Sequence, residues 1–356
     1  MNSIAVIMAI FAVLGAMDRI IGNRFGLGKE FEKAFMLLGT LALSIIGMII
    51  VSPLIAEVAG PFSDILADSL GIDPSIVPAS LFANDMGGTS LSVEMNRDES
   101  IGLFNGLVVS AMMGCTISFT IPFALGVVKK EQHKDLFLGL ICGIVTIPVG
   151  CFISGIICGL SFGTLVIDLI PLVLFSGIIV AGLLCIPEKV IKIFQGLGAF
   201  LKVLITIGLM LGIVAFLSGK QLIPGLGTFE EGAEVCLTIA VVLSGAFPLM
   251  NVLSRIFAKP LNRVGRRIGI NEASVVGTLS SLASSAITFG MMDKMDRKGV
   301  VMNSAFAVSA AFTVGSHLAF TMAFDERYVL PVIVGKLTAG VLALLLAHVV
   351  YERAAE

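Results

Sequence analysis

Asp73-Pro-Ser-Ile-Val-Pro-Ala-Ser-Leu-Phe-Ala-Asn-Asp-Met-Gly-Gly-Thr-Ser-Leu-Ser-Val-Glu-Met95 decides how this chain is read. At its centre Asn84 and Asp85 stand beside Gly87 and Gly88, within an otherwise apolar stretch. Adjacent glycines continue a helix poorly, because they lose most backbone entropy on folding and take positive φ freely. A carboxylate beside freed backbone groups, flanked by two short apolar segments, reads as an interrupted helix around a polar site. In a bilayer such backbone is tolerated only where protein or a water-filled cavity surrounds it.

The rest of the chain supplies the bilayer. Of 356 residues 57% are hydrophobic and only 13% charged, against about 25% charged in soluble domains. The mean hydropathy is +1.03. Apolar runs over 4–22, 33–57, 101–127, 135–160, 164–186, 197–218, 234–257, 299–323 and 329–350 are each long enough to cross, since about 20 residues suffice. Two further runs, 74–95 and 272–292, are short or broken. The reading is therefore an all-α polytopic membrane protein with about 9–10 transmembrane helices plus two re-entrant or broken helical segments. The N-terminal run has no basic lead and no small-residue cleavage pattern, so it is expected to be a retained helix rather than a signal peptide.

Loop charges arbitrate how the two odd segments cross. If both dip in and return, Arg97, Lys220 and Arg327 alone fall on one side. Lys202, Arg255 and Lys336 then sit within spans, and the rest of the 23 Lys and Arg fall on the other side. The basic side is expected to be cytoplasmic, with the N-terminus outside and the C-terminus inside. The acidic stretch 56–74 is expected outside, with a short surface helix.

The two odd segments also resemble each other. Leu81–Met95 lies on Ser281–Met295 at a constant offset, so Asp85 meets Ser285; after a two-residue loss, Asn105 meets Asn303. Residues 1–160 and 197–356 are therefore read as two inverted repeats, joined by a helix and cytoplasmic loop over 161–196. Such repeats place solute at the midplane between discontinuous helices.

Asp85 is the one acid near the centre of an apolar segment, where an ionised side chain is costly unless it faces a cavity or partner. It is the candidate to receive a cation or proton; capping the following half-helix is the alternative. Asn84, Gly87, Gly88, Ser284, Ser285, Thr288, Asn105 and Asn303 are the candidate polar and backbone groups around it, although hydroxyls in membrane helices also bond their own carbonyls and the asparagines could bridge helices. His317 and Lys336 are candidate proton or charge partners, with structural roles equally open to them. Phe82, Phe289 and Phe306 lie near enough in sequence to offer a ring to an ammonium. The six cysteines fall in apolar runs without metal spacing and are read as packing. No nucleotide loop, HExxH or His/Cys cluster is present, so no cofactor, metal or nucleic-acid partner is expected, and no enzyme activity.

Asn84-Asp-Met-Gly-Gly88, Gly143-Ile-Val-Thr-Ile-Pro-Val-Gly-Cys151, Leu222-Ile-Pro-Gly-Leu226, Phe289-Gly-Met-Met-Asp-Lys-Met-Asp296, Phe306-Ala-Val-Ser-Ala-Ala-Phe312 and Val334-Gly-Lys-Leu337 together resemble the ethanolamine permease family of bacterial ethanolamine-utilisation operons, nearly end to end. The resemblance implies uptake of ethanolamine across the bacterial inner membrane to feed its catabolism, as a uniporter or a proton-linked carrier working by alternating access. It implies most value at acidic pH, where neutral ethanolamine is scarce. The family pattern has an Asn pair where this chain has Ser284-Ser285, and an acid before the histidine where this chain has Ser316. These departures leave Asp85 as the main acidic candidate. A cation/proton antiporter, an ion-coupled carrier of another small polar solute and a non-transporting membrane scaffold are the competing readings. A homo-oligomer is left open.

Overall fold

The structure, a computed structural model, describes residues 3–355, and every element among them is helical; Met1, Asn2 and Glu356, which the repeat boundaries include, lie outside the described residues. In chain order the elements are α1 (Ser3–Ile20), α2 (Leu27–Met36), α3 (Leu38–Leu70), α4 (Ile76–Leu81), α5 (Gly88–Met95) and α6 (Glu99–Phe104). After α6 the same span continues with π-type hydrogen bonding over Asn105–Gly114 and Thr116–Thr120 and ends in α7 (Ile121–Val127). Then come α8 (His133–Ile157), α9 (Phe162–Cys185), α10 (Pro187–Ser218), α11 (Phe229–Ile268), α12 (Glu272–Ala283), α13 (Ser285–Gly290), α14 (Arg297–Ala310), α15 (Ser316–Phe324) and α16 (Val329–Ala355).

Among the described residues, eight continuous helical units are long and apolar enough to cross a membrane. The ninth expected span, 299–323, is split into α14 and α15 by an unwound stretch at Ala311–Gly315. Two loop expectations fail. The stretch 56–74 holds no separate surface helix, because α3 runs unbroken to Leu70, and 187–196 is the opening of α10 rather than a loop. Alternating apolar and charged residues there, as in Val190-Ile-Lys-Ile193, suit a helix with a lipid face. On α9 and α10 the side chains of Val173, Leu174, Phe200 and Val203 are left exposed, as they are where lipid is the neighbour.

Ion pairs and caps divide the molecule into two ends. At one, Arg97 bridges Asp64 (2.8 Å) and Asp68 (2.6 Å), and the Tyr328 hydroxyl donates to the Ser100 carbonyl. At the other, Arg297 pairs with Asp135 (3.0 Å), Lys129 with Asp293 (3.6 Å) and Lys298 with Glu352. The two flanks of each broken segment are hydrogen-bonded to each other. Asp73, ahead of α4, accepts from the amides of Arg97 (2.9 Å) and Asp98 (3.1 Å), beyond α5. Asp296, beyond α13, accepts from the amide of Asn271 (2.9 Å), ahead of α12. The first segment is closed at the acidic end and the second at the basic end.

Packing groups the helices into two bodies. The two broken segments, the Glu99–Val127 span, α8, α14, α15 and α16 form one, with α9 set between α8 and α10 and with α12 and α15 also packed on α11 of the other. α1, α2, α3, α10 and α11 form the other, with α1 packed on α11 and α10 on α3. Three helices of the second body are very long: α3 has 33 residues, α10 has 32 and α11 has 40. At 1.5 Å per residue these are roughly 50–60 Å, well beyond the ~30 Å hydrocarbon core.

Candidate substrate site

The site forms where helices give out. α4 ends at Leu81, Phe82 and Ala83 are extended, and Asn84–Met86 make one 3-10 turn. Gly87 then takes φ +102°, a left-handed conformation open to glycine, and α5 begins. The Ala83 carbonyl accepts from the amides of Met86 (3.0 Å) and Gly88 (2.8 Å), while its own amide donates to the Ser118 hydroxyl (3.0 Å). Gly114 offers no side chain where the Phe82 carbonyl presses on it. The neighbouring span accommodates this approach by widening to π-type turns. Its hydroxyls contribute, since Ser110 bonds the Gly106 carbonyl, Thr116 that of Met112 (2.7 Å) and Ser118 that of Gly114 (2.8 Å). Such competition loosens a helix, and π-turns are frequent at functional sites.

The second break is a single extended residue, Ser284, between α12 and α13. It is matched by the unwinding between α14 and α15. The amides of Phe312 and Val314 donate to the carbonyls of Ser281 (2.9 Å) and Leu282 (2.8 Å), groups that α12 leaves unbonded at its end. Phe312 adopts φ +62°, a costly conformation for an aromatic residue. Its ring lies against His317, with centroids 4.9 Å apart, and edge-on to Phe119.

Both breaks and the unwound stretch border one cavity of about 400 Å³. One body supplies its polar groups, Asp85, Ser284, Ser316 and His317. The other supplies a mostly apolar wall of Leu37, Leu41, Ile45, Leu243 and Phe247, with Thr40, Ser44 and, at the edge, Lys33. A second cavity of about 360 Å³ shares Lys33, Phe247, Ala283 and Ile287 and continues to Glu30, Arg255 and Ala258, so the path leads toward the basic end. Asp85 is the one carboxylate on the main cavity, and Ser316 interacts with it. His317 Nε2 lies 3.9 Å from Asp85 Oδ1, and behind the ring Lys336 Nζ lies 3.2 Å from His317 Nδ1 and donates to the Ala111 carbonyl (2.5 Å).

The remaining expected residues lie elsewhere around this centre. Asn84 and Ser285 are fully buried, and among the described residues neither the Asn84 amide nor the Ser285 hydroxyl finds a hydrogen-bond partner. Thr288 donates to the Gly277 carbonyl (2.8 Å). Gly87 and Gly88 shape the backbone of the first break. Asn105 and Asn303 sit away from the cavity, at the closed ends of the broken segments. Asn105 donates to Ser75 Oγ (3.0 Å) and Asp168 Oδ1 (3.3 Å). Asn303 donates to the carbonyls of Ser274 and Gly299 (2.9 Å each) and accepts from Thr278 (3.2 Å). Phe82, Phe289 and Phe306 do not border the cavity; Phe119, Phe247 and Phe312 do.

The family described as "Ethanolamine utilisation protein, EutH" matches residues 1–350. This chain belongs to the EutH family. It is 44% identical over 337 residues to a Listeria monocytogenes protein named "Probable ethanolamine permease EutH", covering 95% of this chain and 90% of that one. A Salmonella typhimurium protein of the same name is 39% identical over 376 residues, at 95% and 92% coverage. A Bacillus subtilis protein named "Uncharacterized protein YxeR" is 36% identical over 342 residues, at 96% and 92% coverage. No solved structure matches. The family indicated by the quoted motifs is thus the family to which the chain belongs.

Proposed function

We propose that this protein is a permease that takes up ethanolamine, in its charged ammonium form, across the bacterial inner membrane. One observation carries the reading: a single cavity, bordered by both helix breaks, presents one carboxylate, Asp85, with Ser284 and Ser316 beside it. An ammonium needs an anionic acceptor, and a hydroxyl two carbons away needs a small polar partner; a cavity of this size accommodates both. The names of the EutH relatives point to the same solute and to a carrier rather than an enzyme.

Alternating access is supported by pairs of features that recur between the two halves. Asn105 meets Ser75 as Asn303 meets Ser274. Asp73 and Asp296 each close one broken segment, at opposite ends, and α1 on α11 pairs with α10 on α3. We read these as two inverted repeats with re-entrant segments, the basic end cytoplasmic, the N-terminus outside and the C-terminus inside. The body carrying Asp85 moves against the apolar wall of α3 and α11.

The test is radiolabelled ethanolamine uptake into proteoliposomes, wild type against Asp85→Asn, at pH 6. The substitution keeps the shape and removes the charge. Uptake is expected to fall about ten- to a hundredfold, the worth of one charged hydrogen bond; undiminished uptake sinks the role of Asp85. Uptake driven by an imposed inside-negative potential at equal pH marks a uniporter, and dependence on an inward proton gradient marks a proton-linked carrier.

A further inference from the structure

Lys336 is 1% exposed, and among the described residues no carboxylate lies within ion-pair distance of it. Its partners are the Ala111 carbonyl and His317 Nδ1. An ammonium has three donors and no acceptor. With Lys336 as an ammonium, Nδ1 accepts and the ring proton sits on Nε2, the nitrogen that faces Asp85; the Ala111 carbonyl, which also neighbours the ring, is the acceptor an Nδ1–H would use instead. The Phe312 ring packed on the imidazole holds its plane. At 3.9 Å the Nε2 to Asp85 separation is too long for a hydrogen bond, so the ring takes none of the carboxylate's lone pairs.

We propose that Lys336 is a positioning residue that holds His317 as a neutral Nε2–H donor toward Asp85, so that the ring cannot stand in for the substrate's ammonium. A doubly protonated imidazole would be a resident cation beside the one carboxylate on the cavity and would compete with the solute. By occupying Nδ1, Lys336 removes the place where that second proton would go. Among the described residues, the other titratable groups coupled to these three side chains are Cys115, to both Asp85 and Lys336, and Cys151, to Lys336; Lys33 also lines the cavity. None of these offers Nδ1 another donor. The consequence for transport rests on the ethanolamine reading above: the imidazole adds no pH dependence to binding of the ammonium across the range where an ordinary imidazole changes charge.

Two measurements test this. The first needs no substrate. The chain has three histidines, so a 15N-histidine-labelled H133Q/H348Q protein reports His317 alone by NMR. Nδ1 unprotonated and Nε2 protonated from pH 8 to pH 5.5 is expected. A ring that becomes doubly protonated near pH 6.5, the ordinary imidazole value, overturns the proposal whatever the solute is. The second compares ethanolamine uptake from pH 8 to pH 5 in wild type, K336M and K336M/H317Q. The ratio of K336M to wild-type KM is expected to rise about tenfold per pH unit below the freed ring's transition, as competition by one proton requires. The ratio of K336M/H317Q to wild-type KM is expected to stay constant, so that any protonation of Asp85 common to all three cancels. A K336M defect of the same factor at every pH marks a merely structural lysine and overturns the proposal.

Discussion

At the scale of single residues, the polar centre depends on conformations few side chains adopt. Gly87 holds φ +102° with the Met48 side chain against it. Gly87→Ala is expected to lower stability by at least about 1–2 kcal/mol, the cost of left-handed backbone for an L-residue, read as thermal unfolding in detergent. Asp98 is a different case, at the exposed acidic end. It caps α6 by accepting from the amides of Ser100 and Ile101, and the Ser100 hydroxyl, followed by these amides, holds its carboxyl below the ordinary value of 3.8. A lowered native value means that the cap's contribution is complete above that pH and is lost as the pH falls through the native value. Asp98→Ala is therefore expected to cost about 1 kcal/mol at neutral pH and progressively less below pH 3.8, in unfolding curves recorded against pH. Asp85 was legible because a carboxylate in an apolar run has few explanations. The link from Lys336 through His317 to Asp85 was not, since it joins three distant segments. Phe312 carried no mark at all, as nothing in an aromatic residue announces positive φ.

At the scale of elements, the two broken segments were readable from Gly87-Gly88 and from the serine pairs around Ser284. The third break, Ala311–Gly315, was hidden in an apolar run that looks helical by composition. It exists because α12 offers the carbonyls of Ser281 and Leu282 to the amides of Phe312 and Val314, a tertiary override of local propensity. The π-turns of Asn105–Gly114 are similarly set by the Phe82 carbonyl against Gly114. Asn105 and Asn303 hold the closed ends of the segments rather than their tips. Asn303→Ala removes one donor from each of the Ser274 and Gly299 carbonyls, while the Thr278 hydroxyl keeps its bond to the Ser274 carbonyl (3.1 Å). It is expected to cost about 1–3 kcal/mol while leaving the KM for ethanolamine within about twofold. A large KM change at intact stability would return Asn303 to the binding site.

At the scale of the whole molecule, the sequence spoke clearly about greasiness and loop charge, and little about which helices form which body. The division puts Asp85, Ser284, Ser316 and His317 on one body and a mostly apolar wall on the other, with the path leading past Lys33 and Arg255 to the basic end. A cysteine at Ser284 is therefore expected to react with a membrane-impermeant thiol reagent in inside-out vesicles, and far more slowly in right-side-out vesicles. Ethanolamine should protect it; equal labelling from both sides contradicts the path. The clasps formed by Asp73 and Asp296 also set an order of manufacture. Residues 73–97 have too few apolar residues to cross alone, and the tip carrying Asn84 and Asp85 is too polar to rest in lipid, so the segment must wait for the span after it. Residues 271–296 must wait in turn for α14 to α16, and Lys336 emerges near the very end of synthesis. The centre of this protein is thus the last thing the ribosome makes possible, and chains halted before α16 are expected to reach the membrane with their breaks unseated and open to proteases.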